Sequence, residues 1–284
     1  MLNFSQFDVM TFDCYGTMID WEAGITAAAT AIAAGHDILS SPERILALYG
    51  ELEPAIEHGA YKSYRTVLEH VMRAMAERLG FPATDAECAA FAESVKRWPP
   101  FPDSPAALAA LHARFKLGVI SNVDDDLFAE SEKLLGVEFD WVVTAAQVKS
   151  YKPSLNNFNR AHERIGVPRE RILHVAQSMF HDIVPAKQLG MTVVWVYSYC
   201  RVARLLGRDV RSCDALAPHG ARRPCAGPCS SAQGPDGPGS VPTGGSRAHN
   251  RPSPEGVQQC HPRVVLAALP PSRGRVPSSL RVRR

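Results

Sequence analysis

The chain has 284 residues, enough for one large or two modest domains, and its 45% hydrophobic content is ordinary for a protein with a buried core. Its net charge of +2 hides two unlike parts: residues 197–284 carry fourteen Arg, no Lys and four acids, a balance of +10 that leaves −8 on residues 1–196. No apolar run approaches the ~18 residues of a membrane span, Met1–Gln6 has no basic leader, and Cys14 and Cys88 suggest no disulfide framework; a cytoplasmic protein is expected, neither secreted nor membrane-bound.

Phe7–Phe12 is a short apolar run that reads as a buried strand, and its end delivers Asp13 into the turn Cys14-Tyr15-Gly16-Thr17. From Trp21 to about Trp98 the pattern is helical throughout, with helices expected over Ile25–Ala34, Ile45–Ile56, Tyr64–Leu79 and Ala86–Val95. Pro42 suits a first helical turn and Gly80 a C-terminal cap. Strand and helix then alternate: strand Leu117–Ile120, helix Leu127–Leu135, strand Trp141–Thr144, helix Leu155–Ile165, strand Ile172–Val175, helix Ile183–Leu189, strand Thr192–Val196. This alternation predicts an α/β fold, a doubly wound, Rossmann-like parallel sheet with helices on both faces. The helical stretch is then an insertion after the first strand. The expected division is a core of residues 1–17 and 101–196, a helical cap of 18–100, and a tail of 197–284.

The tail holds 12 of the 22 prolines and 10 of the 20 glycines and shows little periodicity, so an irregular or disordered segment is expected there. Its arginines suit a nucleic-acid arm, and Cys225 and Cys229 have C-x3-C spacing, but no second ligand pair follows. The abrupt change from mixed Lys/Arg to Arg alone is read instead as a shifted reading frame. A tail that replaced a final strand and helix would leave an exposed sheet edge, and an inactive or binding-only remnant is the reading that follows from it.

Polar residues fall at the strand ends or just beyond: Asp13 with Thr17, Ser121 with Asn122, Lys152, and Asp182. A doubly wound sheet brings such ends to one edge, where ligands of open α/β sheets bind. A carboxylate there can act as a nucleophile, a nearby lysine keeps it ionised, and hydroxyl and amide donors can hold an anionic group. Taken singly, each residue has a plainer reading: Asp13 as a turn residue, Thr17 and Ser121 closing turns, Lys152 a loop lysine, Asp182 a helix cap. His174 and His181 read as packing or supporting residues, and Tyr15 and Trp21 as pocket walls.

In this order, Asp-x-Tyr-Gly-Thr after a strand, Ser-Asn after the next, Lys152-Pro153 before a helix, and an acidic motif ending in Asp182 resemble the four motifs of the haloacid dehalogenase superfamily. The resemblance covers about residues 5–196 and is nearest to the type II (S)-2-haloacid dehalogenases. It implies a hydrolase acting on carbon–halide bonds of short 2-haloalkanoic acids through an Asp13 ester. Thr17, Lys152 and Asp182 would be catalytic with Asp13, and Tyr15, Arg44, Ser121, Asn122, Phe158 and Ser178 would bind substrate. No cofactor or metal is implied, the partner is a small molecule rather than nucleic acid or membrane, and a homodimer is compatible with the sequence. Superfamily phosphatases carry a second Asp two residues after the nucleophile, where this chain has Tyr15. The phosphatase alternative would hold Mg2+ on Asp13, the Tyr15 carbonyl and Asp182, with Asp124, Asp125 and Asp126 adding acidity. Departures from the dehalogenase pattern are Phe158 in place of Tyr and Gln177-Ser178-Met179 in place of Ser-x-Asn. The cap arginine falls on Arg44 by spacing, on Leu48 by its neighbours, with Arg65 as a second candidate.

Overall fold

Five short strands, β1 (Val9–Phe12), β2 (Lys116–Ser121), β3 (Trp141–Thr144), β4 (Ile172–Ala176) and β5 (Thr192–Trp195), form one sheet in the order β3-β2-β1-β4-β5. All four pairings are parallel. The structure is a computed structural model and describes residues 2–196. Every residue of β1 and β4 is buried, as expected of strands covered on both faces, and β1 lies in the middle.

The period of two along the strands sorts their side chains into two cores. Met10, Phe12, Leu117, Val119, Leu173 and Val175 join one, and Val9, Ile120, Ile172 and Ala176 join the other. Helices α1 (Trp21–Ala34), α2 (Pro42–Glu57), α3 (Tyr64–Leu79) and α4 (Asp85–Glu93) follow β1, and a 3-10 turn at Ser94–Arg97 closes the run. Ser41, Ser63 and Thr84 cap the second to fourth of these, Thr84 in a reciprocal pair with Glu87, and Gly80 at φ +92° ends α3. The chain leaves for these helices and returns along hydrogen-bonded segments: Asp20 N donates to Pro99 O at 2.8 Å and Phe101 N to Met18 O at 3.0 Å.

The remaining helices are α5 (Ser104–His112), α6 (Asp125–Leu135), a single turn α7 (Ala145–Val148), α8 (Leu155–Ile165) and α9 (Val184–Gln188), the last preceded by one π-helical turn at Met179–Ile183. The five strands and the helices of the insertion match the sequence reading to within a few residues. Helix α5 was not anticipated, because Ser-Pro-Ala-Ala-Leu-Ala-Ala-Leu-His carries no polar face to mark a period. Phe4–Gln6 forms a 3-10 turn, so the first strand begins at Val9 rather than Phe7. No described helix is long and apolar enough to cross a membrane. The expectations for the tail, Cys225 and Cys229 included, lie outside the described residues.

Candidate active site

Asp13 is the first residue after central strand β1, and its backbone N still donates to Val175 O on β4, at 3.1 Å. Three amides, those of Thr17, Met18 and Ile19, then converge on the Cys14 carbonyl at 3.2, 2.7 and 3.1 Å. The tight turn needs Gly16 at φ +94°, a region that a β-carbon disfavours. It folds Thr17 back so that its Oγ1 donates to Asp13 Oδ2 at 2.8 Å, and the same Oγ1 accepts from Gln177 N at 3.0 Å. One threonine thereby ties the β1 turn to the end of β4.

Lys152 is the centre of the arrangement and is 1% exposed. Its Nζ donates to Asp13 Oδ1 at 2.8 Å, Asp182 Oδ1 at 2.6 Å and Ile120 O at 2.8 Å, which uses all three of its protons. Burial opposes the ammonium, but the two carboxylates outweigh it and hold the Lys152 pKa above its ordinary value. Burial likewise works against the Asp182 anion, yet Lys152 and His174 keep that carboxyl below the usual range. Asp13 goes the other way: burial raises it, Lys152 pulls it down, and the Asp182 charge raises it again. Asp182 also lies 3.3 Å from His174 Nε2, and the far ring nitrogen, Nδ1, is 3.0 Å from Thr11 Oγ1.

Ser121 ends β2, and its Oγ is buried without a hydrogen-bond partner. Asn122 does not offer its amide to the site. Nδ2 donates to Lys152 O at 3.0 Å and Oδ1 accepts from Lys152 N at 2.7 Å, so the side chain clamps the lysine's backbone just before the cis Lys152-Pro153 bond. Tyr15 packs edge-on to Trp98 at 5.5 Å, and its hydroxyl is 3.0 Å from Ser131 Oγ. Burial takes that phenol well above its ordinary pKa, so it stays neutral.

The remaining expected site residues make contacts of their own. Phe158 is 2% exposed, in the core beneath the sheet, with its ring edge-on to His174 at 5.3 Å. Ser178 caps the π turn, accepting from His181 N at 3.1 Å. Arg44 is exposed, and its Nη2 donates to Arg78 O at the far end of α3. Leu48 is partly buried against the larger core. Arg65 is bound to Glu93 at 2.6 Å and to Asp126 at 2.7 Å. The acidic run after Asn122 is consumed in packing: Asp124 accepts from the first amides of α3, Tyr64 N and Arg65 N, at 3.0 and 2.9 Å, and Asp125 accepts from Thr144 Oγ1 and Gln147 Nε2.

Three residues escaped the sequence reading. Tyr49, Glu53 and Glu57 follow one another at four-residue intervals on α2 and so share a face. Tyr49 meets Tyr64 hydroxyl to hydroxyl at 2.8 Å and the Trp21 ring at 5.4 Å, and Trp21 lies against Gly16 of the β1 turn, which places the Tyr49 end of this face toward the site. Burial pushes Glu53 up to about 7 and, with Glu53 beside it, Glu57 up to about 8. The i, i+4 spacing was the available signal.

The Lys152 ammonium already bonds the facing oxygens of both Asp13 and Asp182, and among the described residues no group of three or more His, Cys, Asp or Glu is gathered in a way that could hold a metal.

Residues 7–190 match the family described as haloacid dehalogenase-like hydrolase. The chain is 26% identical over 216 residues to (S)-2-haloacid dehalogenase H-109 of Pseudomonas putida, covering 73% of this chain and 95% of that one. A shorter stretch of 104 residues is 36% identical to a glyceraldehyde 3-phosphate phosphatase of Methanothermobacter thermautotrophicus, 35% of this chain and 45% of the relative. Among solved structures, the L-2-haloacid dehalogenase of Xanthobacter autotrophicus superposes with a TM-score of 0.59 at 23% identity, over 72% of this chain and 83% of that one, a likeness of fold.

Proposed function

The chain belongs to the haloacid dehalogenase-like hydrolases, and on that premise we propose that it hydrolyses the carbon–halide bond of short 2-haloalkanoic acids through an ester on Asp13. The observation that carries this reading is the threefold hydrogen bonding of Lys152, whose ammonium supplies Asp13 with a permanent cationic neighbour. The chemistry then needs no metal to keep the carboxylate anionic.

In the first step an Asp13 oxygen attacks C2 of the substrate, the new C–O bond forms as the carbon–halogen bond breaks, and the halide departs with the bonding pair. A halide needs no proton on leaving, so the neutral Tyr15, bonded to Ser131, is no handicap at the position where a phosphatase needs an acid. Ser121 Oγ, buried without a partner, is the donor for the substrate carboxylate. In the second step water attacks the Asp13 carbonyl carbon. Its proton passes to Asp182, the acyl C–O bond breaks, the released alkoxide takes that proton back from Asp182 to give the 2-hydroxy acid, and the Asp13 carboxyl loses the water's second proton to solvent and returns as carboxylate. The helices of residues 18–100 serve as a cap that limits water in the first step.

A second reading, a phosphatase, is favoured by the 36% identity over 104 residues to a glyceraldehyde 3-phosphate phosphatase. Halide release from 2-chloropropionate, measured beside Mg2+-dependent hydrolysis of an aryl phosphate, separates the two. We expect halide from the wild type and none from Asp13→Asn; phosphate release without halide would overturn the first reading.

A further inference from the structure

We propose that His174 is the positioning residue for the second half of the reaction, holding Asp182 so that one carboxylate oxygen stays free for the hydrolytic water. This rests on the function proposed above.

His174 sits on the middle of β4, fully buried, among the apolar residues Val9, Ile120 and Ala176 of the sheet, with Phe158 of α8 against its ring. A polar ring in that setting has to have both nitrogens satisfied. Strand register supplies one partner. Thr11 on β1 lies directly beside His174, with Gly118 of β2 on its other flank, where an added β-carbon would come within 3.2 Å of Thr11 Cγ2. Thr11 Oγ1 stands 3.0 Å from Nδ1, and Asp182 Oδ1 stands 3.3 Å from Nε2.

With a neutral ring, one proton arrangement serves all three groups. The Asp182 anion accepts and never donates, so Nε2 must carry the proton; Nδ1 is then an acceptor, and the Thr11 hydroxyl donates to it. Thr11 fixes the tautomer, and the tautomer aims an N–H at Asp182.

The consequence lies in which oxygen is used. Lys152 Nζ at 2.6 Å and His174 Nε2 at 3.3 Å both donate to Oδ1, while Oδ2 is buried with no hydrogen-bond partner. With Oδ1 pinned from two directions the carboxylate cannot turn. Oδ2 is left as the acceptor for a water that gives up its proton when it attacks the Asp13 ester. Phe158 packs T-shaped on the imidazole at 5.3 Å and brings it no further polar group.

The two half-reactions separate this role from a structural one. Halide departure makes the first step irreversible, so kcat/KM reports that step alone and kcat includes ester hydrolysis. With 2-chloropropionate, His174→Phe is expected to leave kcat/KM within about threefold of wild type. Its kcat falls on the order of tenfold to a hundredfold, the loss that a misplaced catalytic group brings, and KM falls with it. A burst of one halide per enzyme and a mass adduct on the Asp13 peptide accompany the change. His174→Gln, whose amide can reach Asp182, restores part of kcat, and Thr11→Val gives a smaller loss in the same direction if His174→Phe does not fold. A proportional loss of kcat and kcat/KM with no adduct would overturn the proposal. Wild-type protein that releases no halide would instead refute the dehalogenase reading, and the ring 15N shifts of His174 still decide the geometry: an Nε2–H tautomer is expected, and Nδ1–H contradicts it.

Discussion

Asn122 and Lys152 are joined backbone to side chain in both directions, the asparagine donating to Lys152 O at 3.0 Å and accepting from Lys152 N at 2.7 Å. A residue whose place after β2 suggested substrate binding therefore fixes the loop that carries the central ammonium. Asn122→Ala should cost about 1–3 kcal/mol of stability, the range for stranding buried hydrogen-bonding groups, and should lower kcat and kcat/KM together. Chemical denaturation and steady-state kinetics on one preparation test this. A rise in KM alone, with unchanged stability, would return Asn122 to substrate binding.

Removing the ammonium should be far more damaging than removing the clamp. Lys152→Met leaves Asp13 and Asp182 facing each other in the interior, and breaking a buried ion pair by deleting one partner costs about 3–5 kcal/mol. Without the ammonium each carboxylate that ionises adds an uncompensated buried charge and each that takes up a proton removes one, so the deficit against wild type should shrink as pH falls. Thermal unfolding at pH 5 and pH 8 checks the sign, and a deficit independent of pH would contradict it.

Three raised carboxyls shape the pH profile. Burial holds Asp13 above the usual range, and its attack requires the anion, so the acid limb of kcat/KM should lie at higher pH than an ordinary aspartate gives. Glu53 at about 7 and Glu57 at about 8 ionise as pH rises and add negative charge that opposes an anionic substrate. KM for 2-chloropropionate should therefore climb between pH 6 and 9. Glu57→Gln should lower KM at pH 9 roughly fivefold, the effect of about 1 kcal/mol of relieved repulsion, with little change at pH 6. An identical KM profile in the variant would remove Glu57 from the substrate's surroundings.

Gly24 lets α1 approach Trp98, since a β-carbon there would fall 2.2 Å from the indole. Gly24→Ala should destabilise by about 1–3 kcal/mol through overpacking, despite alanine's better helix propensity. Trp98 also packs on Tyr15, so activity should decline with the loss. A stabilised Gly24→Ala protein would show that α1 can shift freely.

Arg44→Ala is expected to leave kcat/KM for 2-chloropropionate within about twofold, because the guanidinium reaches Arg78 O on the surface. A loss of a hundredfold would restore the expectation drawn from its spacing.

The sheet was legible because β1 and β4 are short, mostly apolar runs, and the polar residues beyond them had to meet at one edge once the strands were parallel. Asp13, Thr17, Lys152 and Asp182 come together for that reason. Side-chain direction was not legible. The distance of Arg44 from Asp13 along the chain does not say which face of α2 it occupies, and the backbone partner of Asn122 lies thirty residues away. His174 reads as a packing or supporting residue because a buried strand position normally holds an apolar side chain, and its partner appears only when Thr11 is seen beside it in register.

The most direct test of the central claim is a single turnover of 2-chloropropionate by excess enzyme in H2 18O, followed by mass analysis of the hydroxy acid and of the peptide containing Asp13. Hydrolysis of an Asp13 ester predicts 18O in the aspartate side chain and unlabelled oxygen at C2 of the first product formed. Label at C2 of that first product, with an unlabelled Asp13, would mean that water attacks the substrate directly and would contradict the account.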